Sequence, residues 1–181
     1  MKFEQSELEI PEIKYLVSSY FEDPRGVFSR YFCDRELSSI LEGRHIRNVN
    51  FSRSNIIGTV RGLHMQRAPS QEMKCVRCIR GSVFDVAVDM RPESPTYLQW
   101  VGQELREDRR DMLVIPEGFA HGFQALTDHA ELLYLTTQYY DAVAEVTVNA
   151  LDPLLNIAWP LPVMHRSDKD ISAPLLKPHL P

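Results

Sequence analysis

The sequence has only three cysteines in 181 residues, an odd number that cannot pair completely within one chain. Its opening, MKFEQSELEI, has no apolar stretch like that of a secreted precursor. The thiols are therefore expected to be reduced and the chain cytoplasmic. No apolar run approaches the roughly 20 residues that span a bilayer, so no membrane partner is expected. Basic residues are in deficit: 20 Lys+Arg stand against 25 Asp+Glu, a net charge of −5. General nucleic-acid binding needs a basic surface to neutralise phosphates, and is not expected here. A local basic pocket for a small anion stays open. There is no repeat, low-complexity tract or linker, so residues 1–181 read as one domain.

What is present is mostly strand. In SVFDVAVDM, Phe84, Val86, Val88 and Met90 alternate with Val83, Asp85, Ala87 and Asp89, which is the period of a strand. Similar short strands are expected around 46–53, 59–66, 73–80, 97–105, 111–115, 119–126, 130–139 and 144–149. Turn signals separate them, among them Gly58, Arg80-Gly81 and Pro116-Glu117-Gly118. Many short strands without crossover helices predict an all-β antiparallel sandwich or barrel with one or two short helices. One helix is expected between Asp34 as N-cap and Gly43 as its left-handed end, with Leu37, Ile40 and Leu41 as the apolar stripe. The proline-rich stretch from about 150 to 181 reads as a wrapping tail.

Three constellations can carry chemistry. Cys75-Val76-Arg77-Cys78 has the spacing of a metal or redox pair, but residues three apart on a strand face opposite ways and cannot share a metal. His64, Gln66 and His121 sketch a mononuclear metal site on a barrel. Gln66 is a poor ligand, however, where a second histidine would be wanted, so no metal is expected. Acid–base chemistry fits better. A hairpin between 59–66 and 73–80 would bring His64, Arg61 and Lys74 to one pocket, where the cations hold the imidazole neutral and stabilise an oxyanion. On these residues alone, solvated surface charges around a satisfied core histidine explain the pattern as well. Tyr134 could serve as an acid or as packing, and Tyr139 and Tyr140 as packing or as a stacking platform. Asp23-Pro24-Arg25-Gly26 is a turn whose Arg25 could clamp a diphosphate.

The wider pattern decides between these readings. DPRGVF at 23–28, TVRGLHMQ at 59–66, LVIPEGFAHGFQAL at 113–126, ELLYLTTQYY at 131–140 and SDKDISAPLL at 167–176 occur in order along nearly the whole chain. Together with the stretch at 74–105 they resemble the dTDP-4-dehydrorhamnose 3,5-epimerase family of nucleotide-sugar epimerases. The resemblance implies a cupin-type jelly roll and a homodimer in which an N-terminal strand, about residues 1–30, swaps to the partner. It implies no metal and no cofactor. It assigns His64 as base, Asp170 as its orienting partner, Lys74 facing the ketone and Tyr134 as acid. It places Arg61, His121, Asp85, Gln66 and Asn50 in the pocket, Arg25 at the diphosphate, and Tyr139 or Tyr140 near the base. The implied activity is inversion of C3, C5 or both in a nucleoside-diphosphate 4-keto-6-deoxyhexose. A 3,4-ketoisomerase, a metal-dependent cupin oxygenase and a non-catalytic sugar-nucleotide binder are the alternatives. Arg30 stands where thymidine-specific members carry a glutamate, and an arginine can only donate. The nucleotide, dTDP, CDP or GDP, is thus left open, with Arg30 as a candidate reader of the base.

Overall fold

The computed structural model describes residues 2–177. The chain enters as β1 (Phe3–Ser6), β2 (Lys14–Ser18), β3 (Tyr20–Asp23) and β4 (Gly26–Ser29), followed by the helical turn α1 (Ser38–Leu41). Then come β5 (Asn48–Ser54), β6 (Val60–Gln66), β7 (Lys74–Arg80), β8 (Ser82–Asp89) and β9 (Trp100–Arg106). β10 (Asp111–Ile115), β11 (Phe119–Ala125), β12 (Ala130–Thr136), β13 (Glu145–Thr147) and the short α2 (Asp168–Ile171) complete it.

Two antiparallel sheets pack face to face, as the strand-rich pattern predicts. One runs β1-β2-β10-β7-β12-β5 and the other β13-β6-β11-β8-β9, while β3 and β4 form a separate hairpin. Val76, Cys78, Leu113 and Leu132 of the first sheet meet Val83, Ala87, Leu105, Phe119 and Phe123 of the second in the central core. Both outer faces are covered as well. Leu37 and Leu41 lie with Leu16, Cys75, Met112 and Leu135 on the back of the six-stranded sheet. The C-terminal segment covers Val86, Val88 and Ala120 on the back of the five-stranded sheet. Trp100 Nε1 donates to Leu155 O at 3.0 Å and Trp159 Nε1 to Ala150 O at 2.9 Å, tying this tail down. Residues 178–181 of the expected tail lie outside the described residues.

Three expectations change. The hairpin between 59–66 and 73–80 does not form: β6 and β7 belong to opposite sheets and face each other across the sandwich. The wholly apolar face of β8 points outward under the tail, and the face carrying Asp85 and Asp89 points between the sheets. Asp34 does not cap α1; its Oδ1 accepts from Arg35 N, while Leu37 occupies the N-cap position and Glu42 (φ 48°) takes the left-handed C-cap just before Gly43. Within the single chain, β1 pairs with β2 and β2 with β10, while the β3–β4 hairpin, with the Asp23-Pro24-Arg25-Gly26 turn at its tip, forms its own two-stranded sheet.

Candidate active site

At one end of the sandwich the two sheets leave a cleft of about 210 Å³. Asn48, Asn50, Lys74, Tyr134 and Thr136 come from the six-stranded sheet, and His64, His121 and Glu145 from the five-stranded one. Ligand pockets more often measure about 300–1,000 Å³, so this cleft admits one ring of a large ligand rather than the whole of it. A hollow of about 410 Å³ at the β3–β4 hairpin gathers no comparable set of titratable groups.

Two glycines let β6 and β11 pack closely beside the histidines. β6 and β11 run so close that a Cβ on Gly62 would lie 2.7 Å from His121 O, and one on Gly122 would lie 2.6 Å from Arg61 O. Gly62 also has φ +106°, a conformation that L side chains rarely adopt. The register pairs His64 with His121 and slips just beyond them, so both imidazoles enter the cleft side by side.

Each carries its own carboxylate. His64 Nε2 lies 2.7 Å from Asp170 Oδ1, and Gly62 N donates to Asp170 Oδ2 at 3.3 Å. Asp170 sits on α2, where Ser167 Oγ accepts from its backbone N–H as a helix cap. Burial is the largest single influence and pushes this carboxyl towards its protonated form, but the bond and charge of His64 together with the hydrogen bonds from Gly62 and Ser167 outweigh it and hold the carboxyl below the usual range. Deeper in, His121 Nε2 lies 2.9 and 3.0 Å from the two oxygens of Asp85, which is fully buried. Burial raises the Asp85 carboxyl, against the pull of His121.

The facing wall supplies a cation and a phenol. Lys74 Nζ crosses between the sheets to donate to His64 O at 3.0 Å, and pairs with Glu72 Oε1 at 3.3 Å. Tyr134 Oη lies 2.8 Å from Ser52 Oγ, and its ring meets His121 edge-on at 6.0 Å. Burial pushes the Tyr134 hydroxyl well above its ordinary pKa, so it remains a proton donor at neutral pH. At the mouth, Tyr140 Oη donates to Glu145 Oε2 at 2.8 Å, and Lys169 pairs with the same carboxylate.

The cleft thus brings together His64, Asp170, Lys74, His121, Asp85, Tyr134, Asn50 and Tyr140. Five sequence candidates lie elsewhere within their own chain. Arg61 flanks the cleft, donating from Nε to Ser54 Oγ at 3.1 Å and from Nη2 to Arg53 O at 2.8 Å. Tyr139 is exposed, with Arg47 over its ring at 5.9 Å. Arg25 forks onto Asp23 at the hairpin tip. Arg30 pairs with Glu36 at 2.7 Å, away from the cleft. Gln66 is buried and spends its amide on backbone groups. Sequence reasoning missed Asn48, Glu72, Thr136, Glu145 and Lys169. Lys169 could have been found beside Asp170, and Glu72 two residues before Lys74.

The groups present do not fit a metal. Gln66, the weak member of the sketched ligand set, is occupied, and no cluster of three His, Cys, Asp or Glu suited to a metal exists among the described residues. Cys75 and Cys78 lie in different cores, and burial pushes both thiols up to about 12.

The family model described as dTDP-4-dehydrorhamnose 3,5-epimerase matches residues 7–178. A Salmonella typhimurium dTDP-4-dehydrorhamnose 3,5-epimerase is 41% identical over 172 residues, covering 92% of each chain. A dTDP-4-dehydrorhamnose 3-epimerase of Streptomyces niveus is 43% identical over 155 residues, 85% of this chain and 74% of its own. The crystal structure of the Legionella pneumophila dTDP-6-deoxy-D-glucose-3,5-epimerase, in complex with dTDP-4-keto-L-rhamnose, superposes with TM-score 0.91 at 38% identity, covering 96% of this chain and 92% of that one.

Proposed function

The chain belongs to the dTDP-4-dehydrorhamnose 3,5-epimerase family, and on that premise we propose that it inverts C3, C5 or both of a dTDP-linked 4-keto-6-deoxyhexose. The observation that carries this is the placement of an imidazole and a phenol on opposing sheets across one cleft, each with its own hydrogen-bond partner.

The C4 ketone acidifies the protons on C3 and C5. With His64 Nε2 engaged by Asp170, Nδ1 is the nitrogen that takes a proton from carbon. The electron pair of the broken C–H bond moves to the C4 oxygen, giving an enolate. Lys74 is the cation that meets this developing charge. Tyr134 then donates its proton to the same carbon from the other wall, the enolate collapses to the ketone, and the centre is inverted. Inverting a second carbon repeats the cycle after both groups exchange protons with water. His121, held by Asp85, and Asn50 line the sugar's surroundings, and Arg61 sets the local positive potential beside Tyr134.

The relatives named above carry dTDP in their names. We therefore favour dTDP over CDP or GDP. A homodimer completes the site in this reading. Phe21, Val27 and Phe28 on the β3–β4 hairpin and Val49 and Phe51 on β5 are exposed apolar side chains that a second copy would cover. The same docking would carry Arg25 to the partner's diphosphate. No helix among the described residues is long and apolar enough to cross a membrane, and the free cysteines Cys33, Cys75 and Cys78 are in keeping with a reducing compartment.

Incubation with dTDP-4-keto-6-deoxyglucose in D2O, followed by NMR, tests the proposal. Deuterium at C3 or C5 together with an epimerised product is expected. Migration of the ketone to C3 would instead identify a ketoisomerase, and binding without exchange a non-catalytic binder.

A further inference from the structure

Gln66 follows His64 by two residues on β6, yet its amide does not enter the cleft. It is 4% exposed. Nε2 donates to Ser70 O at 2.7 Å and to Tyr139 O at 3.2 Å, and Oε1 accepts from Asp141 N at 2.6 Å. Tyr139 O and Asp141 N are the peptide groups on either side of Tyr140. The amide therefore grips that residue's backbone as a neighbouring strand would. Ser70 Oγ adds a second link to Asp141 Oδ2 at 2.7 Å.

We propose that Gln66 is a positioning residue: it fixes the loop carrying Tyr139 and Tyr140 at the cleft mouth, and through that loop the grip on the nucleotide end of the substrate. This rests on the reading that the nucleotide lies at the mouth beside these tyrosines. Both rings are largely exposed, at 60% and 67%. Arg47 over the Tyr139 ring and Glu145 at the Tyr140 hydroxyl steer the side chains, but where the rings start from is set by the backbone that Gln66 holds. Only a neutral amide matches two carbonyls and one N–H at this point. A methionine would fill the volume and leave all three groups unpaired. A glutamate would keep the bond from Asp141 N and set a negative charge against two carbonyl oxygens. The sequence position that invites comparison with a metal ligand thus builds the mouth.

The test uses the full chain with dTDP as titrant and dTDP-4-keto-6-deoxyglucose as substrate. Gln66→Met is expected to weaken dTDP binding and raise KM about tenfold, with kcat within about threefold of wild type. Combining it with Tyr140→Ala should cost less dTDP affinity than the two single losses added, because the amide acts in part through that residue. Gln66→Glu should weaken binding at neutral pH and recover part of it as pH falls and the carboxyl regains a donor. A lowered kcat at unchanged KM, or strictly additive losses in the double variant, would overturn the proposal. So would normal dTDP binding by Gln66→Met while Tyr140→Ala binds weakly. If Tyr139→Ala and Tyr140→Ala both bind dTDP normally, the nucleotide is not at the mouth, and that reading falls together with the proposal. Should Gln66→Met fail to fold, Ser70→Ala loosens the same loop more gently. It should raise KM a few-fold, and an unchanged KM would count against the proposal.

Discussion

Replacing Asp170 by asparagine is nearly isosteric, yet the surroundings of this carboxylate leave an amide no satisfactory pose. In the native chain one oxygen faces His64 Nε2 at 2.7 Å and the other accepts from Gly62 N at 3.3 Å. Both neighbours can be donors because a carboxylate has two accepting oxygens. Asparagine has one. If its oxygen turns to Gly62, its NH2 meets Nε2 and demands a lone pair there. The imidazole proton then moves to Nδ1, the atom needed as base. If the oxygen stays with His64, the NH2 opposes the Gly62 N–H, and leaving a buried donor unpaired costs about 1–3 kcal/mol. The lost charge also removes the group that stabilises the imidazolium once His64 has taken a proton. Activity should fall by about 10²–10⁴, while dTDP affinity stays within about twofold. The rate of deuterium incorporation from D2O, followed by NMR at saturating substrate, measures this directly. Stability carries a second signature. The folded pKa of Asp170 is lowered, so its contribution is present above the unfolded value of about 3.9 and is lost as pH falls through the folded value. Melting of the variant should therefore show less loss of stability in that acid window than the wild type. Exchange within threefold of wild type would refute the argument from the two acceptors.

Three other predictions follow from the same geometry. Tyr134→Phe should still exchange deuterium through His64 but return it to the original face, giving labelled substrate with little epimer; full epimerisation would show that another group is the acid. Gly62→Ala should destabilise by about 2–4 kcal/mol in chemical denaturation, because its Cβ would press on His121 O and Gly122 Cα from a backbone at φ +106°; a change under about 0.5 kcal/mol would contradict the close approach. Cys75 and Cys78 should resist an aromatic disulfide reagent at pH 8 until the chain unfolds, since burial holds both thiols protonated; rapid modification of the native protein would overturn that.

Periodicity shows which residues share a face of a strand, but not which sheet receives the strand or which face turns inward. Thus β5 to β12 lie close to the stretches expected from alternation, and His64, Lys74 and Tyr134 do meet. They meet across the sandwich rather than along a hairpin, because pairing depends on contacts far apart in sequence. The inward face of β8 is its more polar one, with Asp85 bonded to His121, and the apolar face is covered by a tail with no strand signal of its own. Glu145 escaped notice because nothing local marks it. It reaches the mouth only through the pairing of β13 with β6. Arg25 and Arg30 were singled out by motif position, and in the single chain each is held by a neighbouring carboxylate.

The central claim is that His64, oriented by Asp170, removes the proton from carbon. Its most direct test compares wild type with His64→Asn, each incubated with dTDP-4-keto-6-deoxyglucose in D2O, with deuterium at C3 and C5 read by NMR and dTDP binding measured alongside. Incorporation at both carbons should be abolished in the variant while dTDP binding stays near wild type. Exchange at the normal rate in His64→Asn would contradict the assignment.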